Sequence, residues 1–304
     1  MTKASRMNEI EIGDVVDVAS ARKLETNGGS PAVKEDELEP SAAVAERIAF
    51  VSPGDDRPVP EPGPDGEWDL ARPELYLNRE LTWLSFNWRV LGLAADDRTP
   101  LLERLFFLSI VNSNLDEFFM KRIGGLKQQV EAGVTGLSPD GRTPQEQIEA
   151  AYEQVRAQVA KQRDVALGVY AELDENGIQV CGWDDVSDED REWLREYYVR
   201  NVFPLVTPQA TDPAHPFPFI SNLSLNLRVT LHSPDDDMAS LARVKVPLGI
   251  GVPRFIRVRG EHTYVPLESV MAGNLDLLFP GMIVESCEQF RITRNADTEQ
   301  DEET

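Results

Sequence analysis

The sequence has 304 residues, with 30 Lys and Arg against 53 Asp and Glu, which gives a formal net charge of −23. A chain of this length has room for about two domains, and its 41% hydrophobic content is enough for a packed core. The negative charge repels nucleic acid and anionic lipid, so it argues against a DNA-binding or membrane-surface protein.

The two ends of the chain are acidic and poor in apolar residues. Residues 1–72 are rich in Asp, Glu, Pro, Ser and Gly, and residues 298–304 are also acidic and polar. Such segments bury too little apolar surface to offset the entropy lost on ordering them. We therefore predict a disordered acidic leader and a short acidic tail, both acting as solubilising or regulatory extensions.

The cysteine content and the hydropathy pattern predict the compartment. The only cysteines are Cys181 and Cys287, which is typical of a protein from a reducing environment. The amino terminus lacks the apolar core of a signal peptide, and no stretch approaches the roughly 20 apolar residues of a membrane-spanning helix. We expect a cytoplasmic protein with no transmembrane segment, and peripheral association with a membrane stays open.

Three helical segments are predicted between residues 73 and 177. One face of the first carries apolar residues at three- and four-residue spacing: Trp83, Phe86, Val90, Leu91 and Ala94. The second follows the cap Thr99-Pro100, and its apolar residues lie all round the helix, which predicts burial. The third opens with the capping-box sequence Thr143-Pro144-Gln145-Glu146 and stops at Asn176-Gly177. Together they predict a domain of antiparallel helices.

The polar triplet Asn112-Ser113-Asn114 interrupts the second helical segment. Asn114 precedes Glu117 by three residues, which is the spacing of a capping box. Either a new helix begins at Asn114 or the same helix continues after a bend, and the sequence leaves both possibilities open.

Residues 178–297 consist mostly of short alternating runs. Strands are predicted at 178–180, 223–231, 241–248, 254–260, 262–267 and 282–293, with helices starting at Ser187 and covering about 267–278. Helices interleaved with antiparallel strands indicate an α+β domain. The predicted fold class is therefore α+β, with a disordered leader (1–72), an all-helical domain (73–177), an α+β domain (178–297) and the tail (298–304).

Three long segments resemble the bacterial polyphosphate kinases that build chains from ATP. The first is residues 76–127, which include the run SNLDEFFMKR. The others are residues 207–227, TPQATDPAHPFPFISNLSLNL, and residues 278–297, LFPGMIVESCEQFRITRNAD. The order and spacing of the three segments also match that family.

The resemblance implies the family reaction, the reversible transfer of the terminal phosphate of ATP to inorganic polyphosphate. The matched segments correspond to an N-terminal helical domain and to a head domain used in dimer contacts. In the family, two C-terminal domains hold the phosphorylated histidine and the groups that bind phosphates and Mg²⁺. We therefore expect ATP and polyphosphate as substrates of the complete enzyme, Mg²⁺ with ligands outside this chain, a homo-oligomer formed through the head domain, and no nucleic-acid partner.

On this interpretation the chain is a truncated form that lacks the phosphohistidine domains and is inactive by itself, with no catalytic or metal-binding residue of its own. Two alternatives stay open. In the first, the chain is a stand-alone nucleotide-binding and dimerisation module that modulates full-length polyphosphate kinase. In the second, its sequence is one piece of an intact enzyme.

One functional residue carries over from the resemblance. The asparagine of the SNLDEF stretch contacts the nucleotide in the family, and it matches Asn114. A carboxamide suits this role because it offers both a donor and an acceptor to an adenine edge or a ribose. Helix capping is the competing explanation for Asn114, and the two roles do not exclude each other.

Charged residues near Asn114 are weaker candidates. Asp116 and Glu117 could hold Mg²⁺ or act as acid and base, but adjacent helical residues point about 100° apart, which favours stabilisation of a helix N-terminus. Lys121, Arg122 and Lys127 could attract a polyanion, although a solvated helix face explains them better. His215 lies in a proline-rich loop without the basic groups and metal ligands that a phosphoacceptor needs.

Overall fold

The computed structural model describes residues 61–211, 218–258 and 262–295. The described residues separate into two compact units, one made of 61–172 with 293–295 and the other made of residues within 173–292. Most of the predicted leader and the whole predicted tail lie outside the described residues. Residues 61–72 form turns that lead into a 3₁₀ turn at Pro73–Leu75.

Helices dominate the part of the chain before residue 176. In chain order they are α1 (Arg79–Ala95), α2 (Leu101–Glu117), α3 (Gly124–Glu131) and α4 (Pro144–Glu175). A π-helical turn, Phe118–Ile123, joins α2 to α3 without a break. The predicted helical segments are confirmed.

Both ends of α4 follow the local signals in the sequence. At the start, Thr143 N donates to Glu146 Oε2 at 2.8 Å and Glu146 N donates to Thr143 Oγ1 at 3.2 Å, which confirms the capping box. At the end, Gly177 has a φ of 77° and Ile178 N donates to Leu173 O at 2.8 Å. This is the Schellman arrangement that a glycine after a helix permits.

The predicted cap at Thr99 is wrong, and of the two possibilities left open at Asn114 the structure shows the continuous helix. Pro100, rather than Thr99, occupies the position before α2, and no side chain caps that end. Asn114 lies inside α2. Its main-chain carbonyl oxygen accepts a hydrogen bond from Phe118 N, where the helix passes into the π turn. Because the helix is continuous here, its N–H groups have backbone partners and leave no unpaired donor for a cap.

The predicted burial of α1 and α2 is also wrong in part. Phe86 on α1 is 46% exposed, and Leu102 and Phe106 on α2 are 62% and 59% exposed. The buried face of α1 instead includes the polar residue Asn87, which is fully buried. Apolar periodicity places a polar residue such as Asn87 on the solvent side, so it predicts the wrong buried face for α1.

The second unit contains two sheets within its described residues. The three-stranded sheet has the order β1-β6-β5, built from β1 (Gln179–Val180), β5 (Phe255–Arg257) and β6 (Thr263–Pro266). The four-stranded sheet has the order β2-β4-β3-β7, from β2 (Gln209–Thr211), β3 (Leu225–Ser233), β4 (Asp236–Lys245) and β7 (Ile283–Arg291). Strand β1 runs parallel to β6, and every pair in the larger sheet is antiparallel.

Where this unit is described, it also contains three α-helices: α5 (Asp188–Tyr197), α6 (Leu267–Ala272) and α7 (Leu275–Leu278). The predicted helix at 267–278 is thus broken at Gly273-Asn274. A Cβ atom on Gly273 would lie 2.3 Å from Trp183 Cδ2, so only glycine allows this approach. Strand β2 was not predicted, and the strand predicted at 241–248 lies further toward the amino terminus, at Asp236–Lys245. The other strands overlap the predicted ones, and the α+β class is confirmed.

Candidate functional site

Three buried or half-buried carboxamides from three helices meet beside the end of α2. Asn114 Nδ2 donates to Asn87 Oδ1 at 2.9 Å. Asn87 Nδ2 in turn donates to Val111 O at 3.2 Å and to Gln158 Oε1 at 3.4 Å. Asn87 and Gln158 are fully buried, and Asn114 is half-buried. We call Asn114, Asn87 and Gln158 the carboxamide triad.

Aromatic packing holds the end of α2 in place. The rings of Trp83 and Phe118 stack at 5.0 Å between centroids with an interplanar angle of 19°. Phe119 contacts Phe118 edge-on at 6.0 Å and Tyr152 at 5.9 Å. The π turn adds one residue to the helical turn, which places these adjacent phenylalanines against α1 and α4. Asn114 therefore stands one turn before a firmly packed segment.

Asp116 and Glu117 lie at the carboxyl end of α2, so the predicted stabilisation of a helix N-terminus is wrong. Glu117 Oε1 lies 2.6 Å from Lys121 Nζ in an exposed ion pair. Among the residues that the structure describes, no three His, Cys, Asp or Glu side chains gather into a possible metal site.

The basic residues after Asn114 are partly compensated by carboxylates. Lys121 is paired with Glu117, and Arg122 Nε lies 3.7 Å from Glu80 Oε2. Burial raises the pKa of Glu80, and the charge of Arg79 opposes that rise. Lys127 lies on α3 and is half-buried. Lys121 and Arg122 therefore do not form an uncompensated positive patch.

The last candidate, His215, and two other potentially reactive side chains, His232 and Cys287, lie away from the triad in the chain. His215 lies outside the described residues. His232 is half-buried on β3, where its Nδ1 lies 3.1 Å from Ser233 O. Burial and the nearby Glu288 raise the pKa of the Cys287 thiol to about 11, so it is a poor nucleophile near neutral pH.

Sequence reasoning missed Asn87 and Gln158. A signal for the second was present, since the buried glutamines of α4 recur at helical spacing: Gln147, Gln154, Gln158 and Gln162. Periodicity applied to polar residues would have placed them on one face. No comparable pattern marks Asn87.

Comparison with known families decides what this arrangement belongs to. The family model of the polyphosphate kinase N-terminal domain matches residues 76–181, and that of the polyphosphate kinase middle domain matches residues 189–304. The chain belongs to the polyphosphate kinase family. The first of these matches contains all three residues of the triad.

Individual polyphosphate kinases are similar over the same region. The protein from Synechocystis sp. is 51% identical over 248 residues, which are 77% of this chain and 34% of the relative. That of Mycobacterium tuberculosis is 45% identical over 250 residues, 77% of this chain and 33% of the relative. This chain therefore spans about a third of the length of the curated polyphosphate kinases it matches.

A solved polyphosphate kinase has a similar fold. The crystal structure of polyphosphate kinase from Porphyromonas gingivalis matches with a TM-score of 0.63 and 29% identity. The match covers 73% of this chain and 33% of that structure. None of the described helices in this chain combines the length and apolar character needed to cross a bilayer.

Proposed function

We propose that this chain contributes the nucleotide contact of a polyphosphate kinase, and that Asn114 makes it. The reaction is the reversible transfer of the terminal phosphate of ATP to inorganic polyphosphate. The supporting observation is the position of Asn114: its motif matches the family, its side chain is half-buried, and Asn87 holds one end of its carboxamide. Such a group is ordered before the ligand arrives, which lowers the entropic cost of binding.

Mg²⁺ belongs to the proposed reaction as the ion that neutralises the charge of the transferring phosphate. The described residues do not provide a carboxylate cluster for it. We therefore assign no residue of this chain to the metal and no chemical step to these residues. Their proposed contribution is to bind and orient the nucleoside end of ATP.

We also propose a cytoplasmic homo-oligomer that assembles through residues 178–297, with 73–177 as the separate helical domain. In support, β7 stands at one edge of the four-stranded sheet. Its first residues are exposed apolar side chains, since Ile283 and Val284 are 46% and 36% exposed. An open edge with apolar side chains is a surface that proteins commonly cover with another strand or subunit.

The Asn114→Ala variant tests the nucleotide contact. Loss of a hydrogen bond worth about 1 kcal/mol weakens binding by roughly fivefold, so we expect ATP affinity to fall by about that factor. Isothermal titration of the full chain with ATP measures the change. The control is Ser113→Ala, an exposed neighbour on the same helix, which should bind as the unaltered chain does. Equal affinity of the Asn114→Ala variant and the unaltered chain would refute the proposed contact.

A further inference from the structure

The orientation of the Asn87 carboxamide is determined by its surroundings. Its Nδ2 faces Val111 O at 3.2 Å, and a backbone carbonyl can only accept a hydrogen bond. Turning the Asn87 amide by 180° would bring two oxygens together in a site that water does not reach, because Asn87 is fully buried. An unpaired buried acceptor is costly, so one orientation of Asn87 is retained.

The orientation of Asn87 then decides that of Asn114. Asn87 presents Oδ1, an acceptor, and Asn114 meets it with Nδ2 at 2.9 Å. If the Asn114 amide turned round, its own oxygen would face Asn87 Oδ1. The Oδ1 atom of Asn114 therefore lies on the side away from Asn87, and no described residue donates a hydrogen bond to it.

We propose that Asn87 is a positioning residue that determines the base preference of the nucleotide site. By holding Nδ2 of Asn114 inward, it makes an acceptor the group that meets the base. The exocyclic amino group of adenine donates to an acceptor, whereas guanine carries a carbonyl oxygen at the equivalent atom and is repelled. This inference rests on the proposed role of Asn114 as the nucleotide contact. Asn87 itself touches no ligand.

The test compares ATP and GTP binding to the full chain and its variants by isothermal titration. We expect the unaltered chain to prefer ATP by about tenfold, which corresponds to roughly one well-placed hydrogen bond. Asn87→Leu keeps the approximate size and removes the acceptor, so Asn114 is free to turn, and the preference should fall to within about twofold.

Two further variants separate positioning from stability. In Asn87→Asp, the buried carboxyl becomes protonated, donates to Val111 O and still accepts from Asn114, so the preference for ATP should be retained. Val90→Ala alters a buried residue of the same helix that is outside the triad, so it should lower the melting temperature and leave the preference unchanged.

The outcomes distinguish this inference from the proposed function. If Asn114→Ala does not weaken ATP binding, the proposed contact fails and the role of Asn87 fails with it. If Asn114→Ala weakens binding but Asn87→Leu keeps the full preference, the positioning role alone is overturned. If Asn87→Leu does not fold, the positioning role is tested in the unaltered chain, by measuring how fast the side-chain N–H groups of Asn114 exchange with solvent. One protected N–H supports the inference, and exchange at the rate of a free amide contradicts it.

Discussion

At the scale of single residues, buried carboxamides organise the helical unit. Asn78 is 2% exposed, and its Oδ1 accepts from the backbone N–H groups of Glu80 and Leu81 at 3.0 and 3.1 Å. Its Nδ2 donates to Asp140 Oδ1 at 3.0 Å and Gln147 Oε1 at 3.1 Å. Every group of the side chain is thus paired, which is the condition for burying an amide without a large loss of stability.

Asp140, one partner of Asn78, predicts a dependence of stability on acid pH. Burial raises the pKa of Asp140, but hydrogen bonds from Ser138, Asn78 and Arg142 outweigh it and hold the pKa below its ordinary value of 3.8. A depressed folded-state pKa contributes stability above the unfolded-state pKa, and this contribution is lost as pH falls through the folded-state pKa. We therefore expect the stabilisation due to the Asp140 carboxylate to be complete near neutral pH and to decline below about pH 4.

Urea unfolding of the unaltered chain and of Asp140→Asn measures this effect. At neutral pH the variant should be less stable, and the difference should shrink as pH falls below about 4. Glu153→Gln is the control, because Glu153 is an exposed carboxylate on α4, and its curves should stay close to those of the unaltered chain. A difference between Asp140→Asn and the unaltered chain that is independent of pH would contradict the assignment.

At the scale of elements, α4 is defined by its two ends rather than by its apolar content. Its start is closed by Thr143 and Glu146, and its end by the turn at Gly177. Between these points its core face includes buried glutamines as well as Ile148 and Val155. Because hydrogen bonds at both ends set where α4 begins and stops, its buried face can include polar residues.

Two glycine-to-alanine substitutions, one just after α4 and one inside it, should have opposite effects on stability. Gly177 has a φ of 77°, where a Cβ atom is strained, so Gly177→Ala should destabilise the chain by about 1 kcal/mol. Gly168 lies inside α4, and a Cβ atom there meets nothing within 4 Å, so Gly168→Ala should stabilise by about 0.5–1 kcal/mol. Thermal and urea unfolding measure both changes. Shifts of the same sign would contradict this description of the helix end.

At the scale of the whole molecule, negative charge is the dominant electrostatic feature. The sequence carries a net charge of −23, and local ion pairs such as Arg104 with Glu172 compensate only part of its carboxylates. Self-repulsion of this size favours expanded states over the folded chain. The proposed ligand ATP is also opposed by this field, so its binding would depend on short-range contacts such as those proposed for Asn114.

The charge predicts the response of stability to salt. Raising ionic strength from about 0.01 M to about 0.15 M shortens the screening length from roughly 30 Å to roughly 8 Å, so the melting temperature should rise. Differential scanning calorimetry measures the shift. Choline chloride should act like sodium chloride, because screening depends on ionic strength and not on the identity of the cation. A melting temperature that falls with both salts would show that attractive ion pairs outweigh the repulsion.

The sequence by itself determined the features that depend on residues near one another in the chain. Three such features are the capping box at Thr143, the helix end at Gly177 and the alternation of apolar and polar residues in most strands. Each is local, because it requires only neighbouring dihedral angles and short-range hydrogen bonds. The same holds for the SNLDEF motif, since a run of adjacent residues is enough to indicate the family and to single out Asn114.

Only the tertiary structure decided the partners of these residues. Asn114 caps nothing, because α2 continues through a π turn, and Asn87 faces it from 27 positions away in the chain. Between the two helices at 267–278, Gly273 also makes room for the ring of Trp183, a contact that no local pattern around Gly273 indicates. A buried polar group that lacks a hydrogen-bond partner destabilises the fold, because water cannot replace that partner. The distant acceptor Asn87 Oδ1 therefore determines which end of the Asn114 amide points outward.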